Sequence, residues 1–199
     1  MLKGIKIELI QLTKKDGVYT EKNLVDVISD SNFEFFAPVP VLFLYSEIRT
    51  NLQITYTETA FTFTMSSANS VPEDGIIKLE LPAEVRVTDA AQVMKSCKGQ
   101  SNLNRDIECK MEQPFGLGDP PTQITIKKAF RKGGLLTKQN FSFQITEGLV
   151  TPISKKSSST FKVITTDSEN RKINYIDSSL FITMKDSKDI GVVGVFTSS

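Results

Sequence analysis

Apolar side chains fall on every second residue at several places in this chain, and that period decides what the backbone can bury. In Phe61-Thr62-Phe63-Thr64-Met65 they alternate with hydroxyls. Asn140-Phe141-Ser142-Phe143-Gln144-Ile145-Thr146 repeats the pattern, and Thr122-Gln123-Ile124-Thr125-Ile126-Lys127 carries it again. A repeat of two sends alternate side chains to opposite faces of a strand, so Phe61, Phe63 and Met65 share one face. Strands with one apolar and one polar face are the habit of antiparallel sheets, packed on one side and wet on the other. Composition agrees: Ile occurs 18 times, Thr 19 and Phe 13, against 7 Ala. β-Branched and aromatic side chains suit a pleated surface, and the best helix former is scarce. The chain is expected to be all-β.

Strand candidates recur at 5–12, 18–20, 33–36, 41–45, 53–57, 61–65, 76–81 and 84–87. They continue at 107–111, 124–129, 141–145, 161–165, 173–176, 180–184 and 192–196. Turn signals such as Asp16-Gly17 and Gly133-Gly134 lie between them. Such spacing is that of a sandwich or barrel. The best helical candidate, 21–29 after Thr20, has enough β-branched residues to serve equally as a strand.

Charge and missing residue types narrow the chemistry. Lys and Arg number 24 and Asp and Glu 23, a net charge of +1, which gives no field for bulk nucleic-acid binding. With no His there is no imidazole base, nucleophile partner or metal ligand. No acids are spaced as a catalytic pair. No catalytic residue, cofactor or metal site is expected. The most apolar run, 35–45, is broken by Pro38 and Pro40 and falls short of the roughly 20 residues that cross a bilayer.

Cys97 and Cys109 bracket one polar loop, Lys98-Gly99-Gln100-Ser101-Asn102-Leu103-Asn104 and beyond. A disulfide fits this arrangement and would place the chain in an oxidising compartment. Two unrelated free thiols are the alternative. The most basic stretch, Lys127-Lys128-Ala129-Phe130-Arg131-Lys132, offers a contact for a phosphate or acidic glycan, with Phe130 as a stacking group. The competing reading is a strand end whose lysines keep an edge from pairing. Asn140 heads the sole Asn-x-Ser/Thr sequon, usable for glycosylation only on the secretory route. Gly116-Leu117-Gly118-Asp119-Pro120-Pro121 lacks a third glycine and a following helix, and reads as a rigid loop. Asp167-Ser168-Glu169-Asn170 and Asp30-Ser31-Asn32 lack calcium-loop spacing and read as turns.

A longer order of motifs runs from about Asn51 to Asp177. Phe61-Thr62-Phe63 leads to Val71-Pro72, Gly75 and Ile76-Ile77-Lys78-Leu79-Glu80-Leu81-Pro82. The Cys97 and Cys109 pair follows, then Phe141-Ser142-Phe143 with Gly148, Thr151-Pro152, and Ser159-Thr160-Phe161-Lys162-Val163 with Thr165-Thr166-Asp167. This order resembles the repeated β-sandwich modules of very large ciliate cell-surface proteins. It departs from them at Leu81-Pro82, where Phe-Pro is usual, and at Thr151-Pro152, where Asn-Pro is usual.

The resemblance implies one complete Ig-like antiparallel sandwich over 46–184. Residues 1–45 would then be part of a preceding module or accessory strands, and 185–199 a C-terminal strand or linker. It implies a non-catalytic structural or adhesive role in an extracellular repeat protein, with neighbouring or identical modules, and surface glycans, as partners. A viral or phage jelly-roll protein and an intracellular β-sandwich binding module stand as alternatives; a cytoplasmic location would follow if Met1 is the true start.

Overall fold

The computed structural model describes residues 5–15, 18–30, 39–112 and 122–185. The chain divides into two compact units between Val39 and Pro40. In the first, β1 (Ile5–Lys15) and β2 (Val18–Asp30) pair as an antiparallel hairpin, with register shifts after Leu9 and after Thr13. The segment 21–29 is therefore strand.

The second unit is a β-sandwich. Its elements are β3 (Val41–Leu42), β4 (Tyr45–Thr50), β5 (Phe61–Ser66), β6 (Ile76–Glu80), β7 (Arg86–Val87) and α1 (Ala90–Ser96). Then come β8 (Cys97–Gly99), β9 (Glu108–Glu112), β10 (Gln123–Lys127), β11 (Asn140–Ile145), β12 (Leu149–Val150), β13 (Lys162–Thr166) and β14 (Lys172–Ile176). One sheet has the order β3-β14-β13-β6-β10-β9 and the other β4-β5-β11-β8, with β12 and β7 as a small separate pair. Pairing is antiparallel throughout these sheets, except that β14 and β3 run parallel.

The period of two becomes the core. Phe61, Phe63 and Met65 are fully buried, while Thr62 and Thr64 between them are half-buried. Phe63 faces Phe143 in register and stacks on it, ring centroids 4.8 Å apart and planes 12° apart. Phe161, immediately before β13, meets Phe63 edge to face, ring centroids 5.9 Å apart. Ile77 and Leu79 of β6, Ile124 and Ile126 of β10 and Val163 of β13 belong to the same core. Each such side chain contributes roughly 1.5–3 kcal/mol on burial, and each aromatic pair about 0.5–1.5 more.

Four expectations change. The sandwich begins at Pro40 rather than at 46, because Val41 and Leu42 pair with Asn174 and Tyr175 and Phe43 is buried against Phe141. Residues 53–57 form a turn, with only Ile54 bridging, since Tyr56 takes the left-handed conformation at φ 50. At 180–184 the alternation survives as buried Leu180, Ile182 and Met184, but no ladder forms. Its amide partners lie instead on the irregular segment 158–161: Phe161 donates to the Leu180 carbonyl and Ser158 to that of Ile182. The seven-residue helix α1 was not expected from the scarcity of Ala. Asp89 caps it by accepting from the Ala91 and Gln92 amides at 2.8 and 3.1 Å, and Val93 seats it in the core. The strand candidates at 33–36 and 192–196 and the loop at 116–121 lie outside the described residues.

Candidate functional site

Among the described residues, β8 and β9 are edge strands of different sheets on the same side of the sandwich. Cys97 opens β8 and Cys109 lies in β9, and the two are joined by a disulfide with their Cα atoms 6.3 Å apart. Bonded to each other, they leave no free cysteine. The bond ties one sheet to the other where no strand crosses between them. Gly99 makes the return path fit. A β-carbon there would lie 1.8 Å from the Asn104 carbonyl oxygen, so the loop can fold back only over glycine. The chain also crosses on each side: β8 runs through 100–107 into β9, and on the opposite side β3 of one sheet runs through Phe43 and Leu44 into β4 of the other.

A polar clasp adds a second link between the sheets. Asn174 of β14 is fully buried. Its side-chain amide donates to Ser67 Oγ, the Asn69 carbonyl and Thr165 Oγ1, each at 3.1 Å, and its oxygen accepts from the Asn69 amide at 2.8 Å. Ser67 immediately follows β5 of the other sheet. The segment that follows β5 thus contains an anchor. The signal was an Asn within an otherwise apolar strand, Ile173-Asn174-Tyr175-Ile176.

The basic stretch does not assemble as expected. Phe130 is only 2% exposed and packs edge-on against Phe141, so its ring cannot stack on a ligand. Arg131 Nε donates to the Leu103 carbonyl at 3.0 Å, and Lys128 binds Glu108 at 2.5 Å. The hydrogen bond from Lys128 holds the Glu108 carboxyl below its ordinary range. Lys127 and Lys128 line an open cleft of about 680 Å³ together with Glu73, Asp74 and Glu108, so acids match the bases there. Lys132 is exposed on the turn beyond. The exposed side chain of Asn140 begins β11.

A second cleft, of about 480 Å³, is lined by Tyr56, Glu84, Arg86, Pro152 and Ile153 among others. Arg86 Nη1 donates to the Tyr56 hydroxyl at 2.8 Å. The turn that carries Tyr56 is pinned by Thr151. Thr151 Oγ1 donates to the Ile54 carbonyl at 2.6 Å and accepts from the Thr57 amide at 2.9 Å, and the Tyr56 amide donates to the Pro152 carbonyl at 3.1 Å. Glu84 Oε1 accepts from the Ser159 amide and hydroxyl at 3.0 and 2.7 Å. Burial works to raise its carboxyl, but donation from the Ser159 hydroxyl and from the Glu84 and Ser159 amides outweighs that and holds it below its ordinary value. The cleft exists because 53–57 is a turn and not the strand its composition suggests.

Among the described residues no group of three or more His, Cys, Asp or Glu is placed to hold a metal, and no helix is long and apolar enough to cross a membrane. The fold defines the class as an all-β sandwich. No family model and no curated protein sequence matches the chain. Among solved structures it is similar to BslA, described as a bacterial hydrophobin, at 11% identity and a TM-score of 0.38, over 71% of this chain and 97% of that one. It is also similar to a non-cellulosomal cohesin from the hyperthermophilic archaeon Archaeoglobus fulgidus, at 10% identity and a TM-score of 0.40, over 72% of this chain and 94% of that one.

Proposed function

We propose that the sandwich is a non-catalytic structural module that carries tension, in series with like modules, at an extracellular surface. One observation carries this reading: both ends of the described sandwich are held by parallel partners. At the entry, Val41 and Leu42 run parallel to Asn174 and Tyr175, and the Phe43 amide donates to the Tyr175 carbonyl at 3.0 Å. At the exit, Lys185 bridges Ile54 in parallel. The Lys185 amide donates to the Gln53 carbonyl at 2.7 Å, and the Thr55 amide to the Lys185 carbonyl at 3.2 Å.

Drawing the ends apart along the strands loads these bonds together, as shear. An antiparallel hairpin pulled from its open end instead loses its bonds one at a time. The disulfide supports the oxidising setting, since such bonds persist outside the reducing cytosol. The resemblance of the motif order to ciliate surface modules supports the serial arrangement. The test is a force ramp on the full chain held by handles at Pro40 and Lys185. A single cooperative rupture of the sandwich is expected, and gradual lengthening from either end at low load would overturn the reading.

A further inference from the structure

The cleft beside Tyr56 is built in a way that load-bearing does not require. A tyrosine at φ 50 is an outlier for a bulky side chain and costs roughly 1–3 kcal/mol. The backbone there is held by Thr151 and Pro152, and the cost places an aromatic ring 55% exposed at the surface. Arg86 fixes the ring through its hydroxyl, and Ser159 fixes the Glu84 carboxylate. The charged groups are therefore ordered before any ligand arrives, which lowers the entropy cost of binding. Ile153, 74% exposed, and Ala83 supply an apolar rim. The volume of about 480 Å³ falls in the roughly 300–1,000 Å³ range of small-molecule sites.

We infer that this cleft binds a neutral sugar ring, with the C–H face of the ring on Tyr56 and adjacent hydroxyls bridging Arg86 and Glu84. One guanidinium and one carboxylate cancel in net charge, so the cleft favours neither an anion nor a cation. Lining one cleft, they offer N–H donors and a carboxylate acceptor to the same ligand, which suits hydroxyls, because each hydroxyl both donates and accepts. A sugar presents apolar C–H and polar O–H edges on one rigid ring, which matches an aromatic platform flanked by fixed polar groups. The surface-module reading supplies the source of such a sugar, a glycan on an opposing surface, and would make the module adhesive as well as structural.

The test is saturation-transfer difference NMR on the full oxidised chain. The probes are methyl glucoside, methyl galactoside, methyl mannoside and methyl N-acetylglucosaminide, with glucuronate and glucose 6-phosphate as charged comparators. Transfer to the ring protons of at least one neutral glycoside is expected, and Tyr56→Ala should weaken it roughly tenfold. Tyr56→Gly separates binding from folding. It relieves the left-handed strain, so the thermal midpoint should hold or rise while transfer weakens as much as in Tyr56→Ala. Three results would each overturn the inference: no transfer from any neutral glycoside, transfer confined to the charged comparators, or transfer undiminished in Tyr56→Gly. None of them touches the tension reading, which rests on β3, β14 and Lys185.

Discussion

Replacing both cysteines with alanine should cost the sandwich about 3 kcal/mol. Cys97 and Cys109 are 12 residues apart, and a loop of that size, closed in the unfolded chain, removes entropy worth about 3 kcal/mol near 25 °C. For a domain of this size each kcal/mol moves the thermal midpoint by about 2–4 °C, so the midpoint should fall by roughly 6–12 °C. The effect acts on the unfolded state, which expands when the link is cut, so the urea m-value should rise as well. Cys97 is 4% exposed, and alanine there also leaves a small void. Wild type unfolded in the presence of a reductant controls for this, because it keeps both sulfurs. The assay is equilibrium urea unfolding of oxidised wild type, reduced wild type and the double alanine variant. Reduced wild type should lie within about 1 kcal/mol of the variant, and both well below the oxidised protein. A loss under about 1 kcal/mol on reduction, with an unchanged m-value, would refute the claim that this bond restrains the chain.

Asn174→Leu removes the side-chain amide that bonds buried Ser67 Oγ and Thr165 Oγ1 and the acceptor of the Asn69 amide, and should cost roughly 1–3 kcal/mol or more, read by urea unfolding. Gly134→Ala should destabilise far more than Gly133→Ala. Both have positive φ, but a β-carbon at Gly134 would lie 2.2 Å from the Val71 carbonyl oxygen, whereas at Gly133 nothing lies within 4 Å; paired thermal melts compare them. For Asp167, burial works to raise the carboxyl, but hydrogen bonds from the Arg171 side chain and amide and the Glu169 amide hold it below its ordinary value. Its contribution is therefore complete above the unfolded pKa, near 3.9, and is lost as pH falls through the lower folded value. Asp167→Asn should flatten the fall in the urea midpoint below pH about 4.

The alternation of Phe61, Phe63 and Met65, and of Phe141, Phe143 and Ile145, was readable because a strand's side-chain period does not depend on its partner. The same holds for Ile124 and Ile126. The cysteine pair was readable as a pair, but its joining of two sheets was not. That depends on β8 and β9 belonging to different sheets, which only the tertiary order decides. Residues 53–57 failed for a related reason. Gln53-Ile54-Thr55-Tyr56-Thr57 has strand-like composition, yet Thr151, far along the sequence, holds it as a turn. Phe130 lies among basic residues in sequence but belongs to the core, because Leu103 bridges it and Phe141 packs on it. α1 was missed because seven residues hold too few periods to register, although Asp89 before Ala90-Ala91 marked its start.

The central claim is that the sandwich resists tension through its ends because those ends are held in shear. Single-molecule pulling on the same full chain in two geometries tests it. One pair of handles sits at Pro40 and Lys185, the other at Thr160 and Asp177, the open end of the β13–β14 hairpin. The unfolding force should be clearly higher for the first pair than for the second at equal loading rate. Equal forces, or a weaker first geometry, would contradict the account.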